Sequence, residues 1–82
     1  MASQMTVTVE TGEQLVANVY DIVDSFWFRK TFIFYSFEND PDSLYASILH
    51  ETKDTVTFEP ITNPKEIRFV EKEIRRIVKE LL

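Results

Sequence analysis

The side chains able to do chemistry fall in three places. His50, the single histidine, stands beside Glu51 in "SILHE". General acid–base or nucleophilic catalysis needs a partner positioned within hydrogen-bond reach. Neighbours on a strand point to opposite faces, so Glu51 does not supply that partner, and His50 reads as a surface residue. Glu38, Asp40 and Asp42 in "ENDPDS" offer oxygens of the kind calcium takes. The EF-hand pattern also needs a glycine at its sixth position and a distal Glu, so this stretch reads as a solvated turn. Asp21 and Asp24 are the carboxylates a small enzyme or an enzyme's regulatory subunit would use. One glycine, Gly12, cannot build a phosphate loop, and with no cysteine there are neither disulfides nor thiolate metal sites. No catalytic, cofactor or metal residue is assigned, and the chain does not read as an enzyme.

The remaining chemistry is aromatic. "SFWFRKTFIFYSF", Ser25 to Phe37, holds seven of the eleven aromatic residues, split around Arg29 and Lys30. What that surface can do depends on the elements that carry it. "MTVTVE", Met5 to Glu10, alternates with period two and reads as a half-buried strand. Gly12 then suits a tight hairpin. "QLVANVYDIVDSF" resumes the pattern, with Leu15, Ala17 and Val19 on one face and Val16, Asn18, Tyr20 and Ile22 on the other. The alternation falters near Asp21–Asp24, which predicts a bend or bulge. Phe26 to Phe28 continue the strand, a turn falls near Arg29–Lys30, and a third strand runs from about Thr31 to Phe37. Asp40 before Pro41 makes "ENDPDS" a loop. "SLYASILHE" and "TVTFEPI" are the fourth and fifth strands, joined by "TKD".

The last segment is a helix. Asn63 is a good N-cap, Pro64 suits the first helical position, and Glu66 completes a capping-box-like pattern. Ile67, Val70, Ile74, Ile77, Val78 and Leu81 form an apolar stripe, and Glu71 and Arg75 an i, i+4 pair. Phe69 lies nearly opposite the stripe. It is either a lone exposed apolar residue or a contact for the connection from strand five or for another copy. Sequential strands with short turns pair antiparallel. The fold class is therefore α+β: a five-stranded antiparallel meander sheet with one C-terminal helix across one face. Residues 1–82 make one domain, with 1–4 a frayed tail, 5–61 the sheet and 63–82 the helix.

Composition narrows the function classes. A chain of 82 residues buries only about 60–65% of the surface it exposes when unfolded, so the core must be built economically. A hydrophobic content of 44% is that of a globular protein. A net charge of −5 opposes non-specific binding to nucleic acid and to anionic membrane. "MASQMTVTVE" lacks the basic and apolar regions of a signal peptide, and no apolar run approaches the roughly 20 residues of a membrane span. The expected location is the cytoplasm.

The size of the elements then bears on the aromatic stretch. Both faces of its hairpin carry large apolar groups: Ile33, Tyr35 and Phe37 oppose Phe32 and Phe34. Five strands span about 20 Å, whereas one helix with its side chains is about 10–12 Å across. One helix covers about half of one face and none of the other. Either the sheet curls to close its second face, or that face meets another protein, or bases stack on it beside Arg29 and Lys30. Two cations in an acidic domain make a poor groove for nucleic acid. The leading reading is a small non-enzymatic interaction domain that binds itself or a protein partner through Trp27, Arg29, Lys30, Tyr35, Phe37 and Phe69.

Asp24, Ser25, Phe26, Phe28, Lys30 and Phe32 match in type the "D-T-F-x-Y-x-G-K-x-Y" motif, and "FEPITNPKE" looks like the strand-to-helix junction, of the YrzB-like family of small bacterial proteins. The chain resembles that family from about Met5 to Leu82. It departs in lacking the motif's turn glycine, in a hairpin one residue shorter, and in Trp27 where a polar residue is usual. The resemblance implies the same order of strands and helix and supplies no catalytic residues, since the family has no established activity.

Overall fold

The computed structural model describes residues 3–8 and 11–81. Within them are β1 (Ser3–Thr8), β2 (Gln14–Ser25), β3 (Lys30–Phe37), β4 (Asp40–Glu51), β5 (Val56–Glu59) and α1 (Pro64–Leu81). The five strands form one antiparallel sheet in chain order. The fold is α+β, as expected. Met1 and Ala2 of the expected tail lie outside the described residues, as do Val9, Glu10 and Leu82. Ser3 and Gln4 are already strand, opposite Val19 and Asn18.

The sheet curls until β1, at one edge, comes against β5 at the other. Right-handed strand twist accumulates across a sheet, and a bulge increases it locally. Here the bulge falls between Val19 and Asp21. Cross-strand partners share a face. Val19 pairs with Tyr35 and Ile22 with Ile33, so Ile22 returns to the face of Val19 instead of joining Tyr20. The same extra residue turns Asp21 toward the helix side, opposite Phe34.

Each face therefore carries a core within one chain, and the curl makes good much of the size mismatch inferred from the sequence. Inside the curl, Val7, Ala17, Val19, Ile33, Tyr35 and Leu49 form one core, with Phe37, Val56 and Phe58 against it. On the helix side, Phe32, Phe34 and Ile48 pack with Val70 and Ile77. Phe32, Ile33 and Phe34 are wholly inaccessible, so β3 is the shared wall of two cores.

Two elements differ from their sequence expectation. "ENDPDS" is not a loop: only Glu38 and Asn39 make the turn, and β4 begins at Asp40 and carries Pro41. A proline is tolerated where a strand has no neighbour to bond. β5 pairs only with Ile48–Glu51, so among the described residues the outer edge of β4 before Ile48 has none. The helix is also turned about its axis relative to the predicted stripe. Glu66, Val70 and Ile77 are buried, whereas Ile67, Val78 and Leu81 are exposed. Phe69 and Glu66 are drawn to the sheet instead, by contacts described next.

Candidate functional site

Ser25 pairs with Lys30, and the four residues between them, Phe26 to Arg29, make the turn. The turn thus sits on the aromatics themselves and not at Arg29–Lys30. The buried pair Val19–Tyr35 anchors this register. Arg29 takes the left-handed conformation, φ 55°. The Phe28 N–H donates to Ser25 Oγ at 3.2 Å, and Thr31 Oγ1 donates to Asp24 Oδ1 at 2.6 Å. Lys30 Nζ reaches Glu66 Oε2 at 2.8 Å, tying the foot of the hairpin to the first turn of α1. Glu66 therefore serves Lys30 and not a capping box. The cap rests on Asn63, whose Oδ1 accepts from the Lys65 N–H.

Phe28 folds down from the turn. Its ring lies 6.1 Å from Phe32 and 5.7 Å from Phe69, and Phe32 lies 5.4 Å from Phe69. Phe69 is therefore half-buried in an aromatic trio and not a free apolar residue on the helix's outer side. Phe26 and Trp27 go the other way: they are 95% and 85% exposed. Leaving two such side chains in water forgoes roughly 1.5–3 kcal/mol each relative to burial. Arg29 is exposed beside them and, among the described residues, makes no ion pair.

Of the six residues singled out in the sequence, Trp27, Arg29 and Lys30 come together at this tip. Tyr35 and Phe37 lie inside the curl, with rings 5.3 Å apart, and Tyr35 also packs 4.6 Å from Phe58. The Tyr35 hydroxyl is hydrogen-bonded to Ser47 Oγ at 2.9 Å. Burial raises its pKa above the ordinary value of 10.0. Phe26 was not singled out, although an aromatic pair directly before a basic pair was the signal that could have found it.

A second feature was signalled in the sequence only through Tyr35 and Phe37, which line it. Where β4 extends past β5, the mouth of the curl opens into an apolar groove of about 920 Å³. Tyr45, Phe58, Ile61, Ile67 and Ile74 also line it, and Glu71 is the one charged lining residue among the described residues. Glu71 is exposed and, among the described residues, makes no ion pair. Among the described residues Arg76, not Arg75, is the helix cation that makes ion pairs, to Asp21 at 2.6 Å, Glu73 at 2.8 Å and Glu80 at 3.0 Å. These partners raise the pKa of Arg76.

Of the other candidates, Asp24 and His50 line one open pocket of about 490 Å³ beside Phe26, Arg29 and Lys30, and the rest lie apart from it. His50 Nε2 lies 3.5 Å from Glu59 Oε2, and both side chains are half in solvent. Asp40 accepts from the Tyr45 hydroxyl at 3.0 Å. Asp21 and Asp24 are engaged by Arg76 and Thr31, and neither lines the groove. Among the described residues no three His, Asp or Glu side chains gather to hold a metal ion. Among the described residues no helix is long and apolar enough to cross a membrane. No family model, curated protein or solved structure matches the chain.

Proposed function

We propose that this protein is a small, non-enzymatic, cytoplasmic interaction domain that presents the β2–β3 hairpin tip to a protein. The single observation that carries this is the exposure of Phe26 and Trp27 side by side on a braced turn. Aromatic and arginine side chains dominate the energetics of interfaces, and a rigid presentation lowers the entropy cost of docking. Phe26, Trp27 and Arg29 form such a set. Lys30 belongs to the brace, while Tyr35, Phe37 and Phe69 hold the scaffold. The complementary surface is an apolar pocket with an acidic rim. The resemblance to the YrzB-like family is part of the same proposal and adds no activity to it.

The test is a photo-reactive phenylalanine analogue at position 27, irradiated in the source cell. Position 72, an exposed residue on the outer side of α1 that does not line the groove described above, serves as the control. The expected result is protein adducts at position 27 that Phe26→Ser reduces strongly. Adducts no stronger at position 27 than at position 72 would contradict the reading. The rival use of Asp21 and Asp24 in catalysis has less support, because Asp21 is paired with Arg76, Asp24 accepts from Thr31, and only Asp24 lines a pocket with His50.

A further inference from the structure

Resting on the tip as the docking element, we infer that its occupant is a second copy of this chain, whose tip seats in the apolar groove between β4, β5 and α1. The tip brings two exposed aromatic rings and a cation. The groove brings apolar walls and, among the described residues, one acid, Glu71. Arg29 and Glu71 are each without an ion pair among the described residues, and they have opposite sign. Charge complementarity of this kind selects a partner and fixes its register.

The groove cannot be filled by the chain's own tip. Phe28 is pinned beneath Phe69, and no residue from Tyr20 to Phe34 lines the groove. A tip that reaches it comes from another molecule. Exchanged reciprocally across a two-fold axis, the contact closes as a dimer, the commonest symmetry of soluble oligomers. One association then covers both apolar features that the monomer leaves open.

Sedimentation equilibrium of the full chain from low to high micromolar concentration tests this. The wild type is expected to self-associate. Phe26→Ser with Trp27→Ser on the tip, and Ile67→Glu in the groove, each weaken association at least roughly tenfold, as loss of a hot-spot residue does. Arg29→Asp and Glu71→Arg each weaken it by roughly several-fold, and the two together restore it. Asp tolerates the left-handed conformation at position 29. Should Ile67→Glu disturb the helix, the exposed Glu71 keeps the groove arm readable.

A wild type monomeric throughout overturns the inference but leaves crosslinking of position 27 to a different protein intact. Self-association indifferent to the tip overturns it. So does tip-dependent association that ignores Ile67→Glu and Glu71→Arg, because the tip then docks elsewhere. Failure of the paired charge swap to restore association overturns the geometry argued here.

Discussion

Glu66 shows how one residue can decide the placement of an element. It is 3% exposed, and its charge is answered by Lys30 across the hairpin–helix junction. Removing one partner of a buried pair leaves a charge without compensation, at about 3–5 kcal/mol. Lys30 is 39% exposed, so water offsets part of that. Lys30→Met is expected to cost about 2–3 kcal/mol in urea unfolding. Lys30→Met with Glu66→Met should recover most of the loss, because no charge is then buried. Tyr35 gives a second prediction, in pH. Its folded pKa is raised by burial, so the folded state holds the phenolic proton longer than the unfolded chain does. Stability from this group is complete below the ordinary value of 10.0 and falls as pH climbs through the raised value. Denaturant midpoints across that range should decline in the wild type, and Tyr35→Phe should remove that part of the decline.

At the scale of the element, the hairpin stores a local strain. Arg29 holds a positive φ, which a side chain makes unfavourable by about 1–2 kcal/mol and glycine does not. Arg29→Gly should therefore stabilise the domain, by up to about 1 kcal/mol once glycine's freedom in the unfolded chain is counted. Thermal unfolding checks this, and a loss of stability would contradict the turn geometry. The missing turn glycine was visible in the sequence, although which residue would replace it conformationally was not. Strand order, the bulge near Asp21, the Asn63 cap and the helix were all legible, because each rests on local periodicity or a local hydrogen bond. The rotation of α1 was not. Ile67 and Phe69 compete for the sheet, and the contest is settled by Phe28, Phe32 and Lys30, which are distant in sequence. The strand through Pro41 was hidden for the same reason: a proline argues against a strand unless one knows that β5 stops short of it.

At the scale of the whole molecule, the outcome turns on curl. Twist per strand is a tendency with a broad range, so a sequence read strand by strand does not reveal whether a five-stranded sheet lies open or rolls up. Here it rolls, and Ile33 and Tyr35, which an open sheet would have offered to a partner, become core. Besides the singly exposed Ile22, Val78 and Leu81, the apolar surface that remains is the tip and the groove, one at the end of a hairpin and the other at the mouth of the curl. The acidic balance of the chain, −5, sets copies to repel one another, so the self-association proposed above needs Arg29 and Glu71 to meet in register. Because Trp27 is the single tryptophan, its fluorescence reports on the tip alone. Acrylamide quenching of Trp27 in dilute monomer is the most direct measurement. Quenching close to that of a free indole side chain is the predicted result, and a Trp27 shielded from quencher in the monomer would contradict the claim that this chain holds its aromatic tip open for docking.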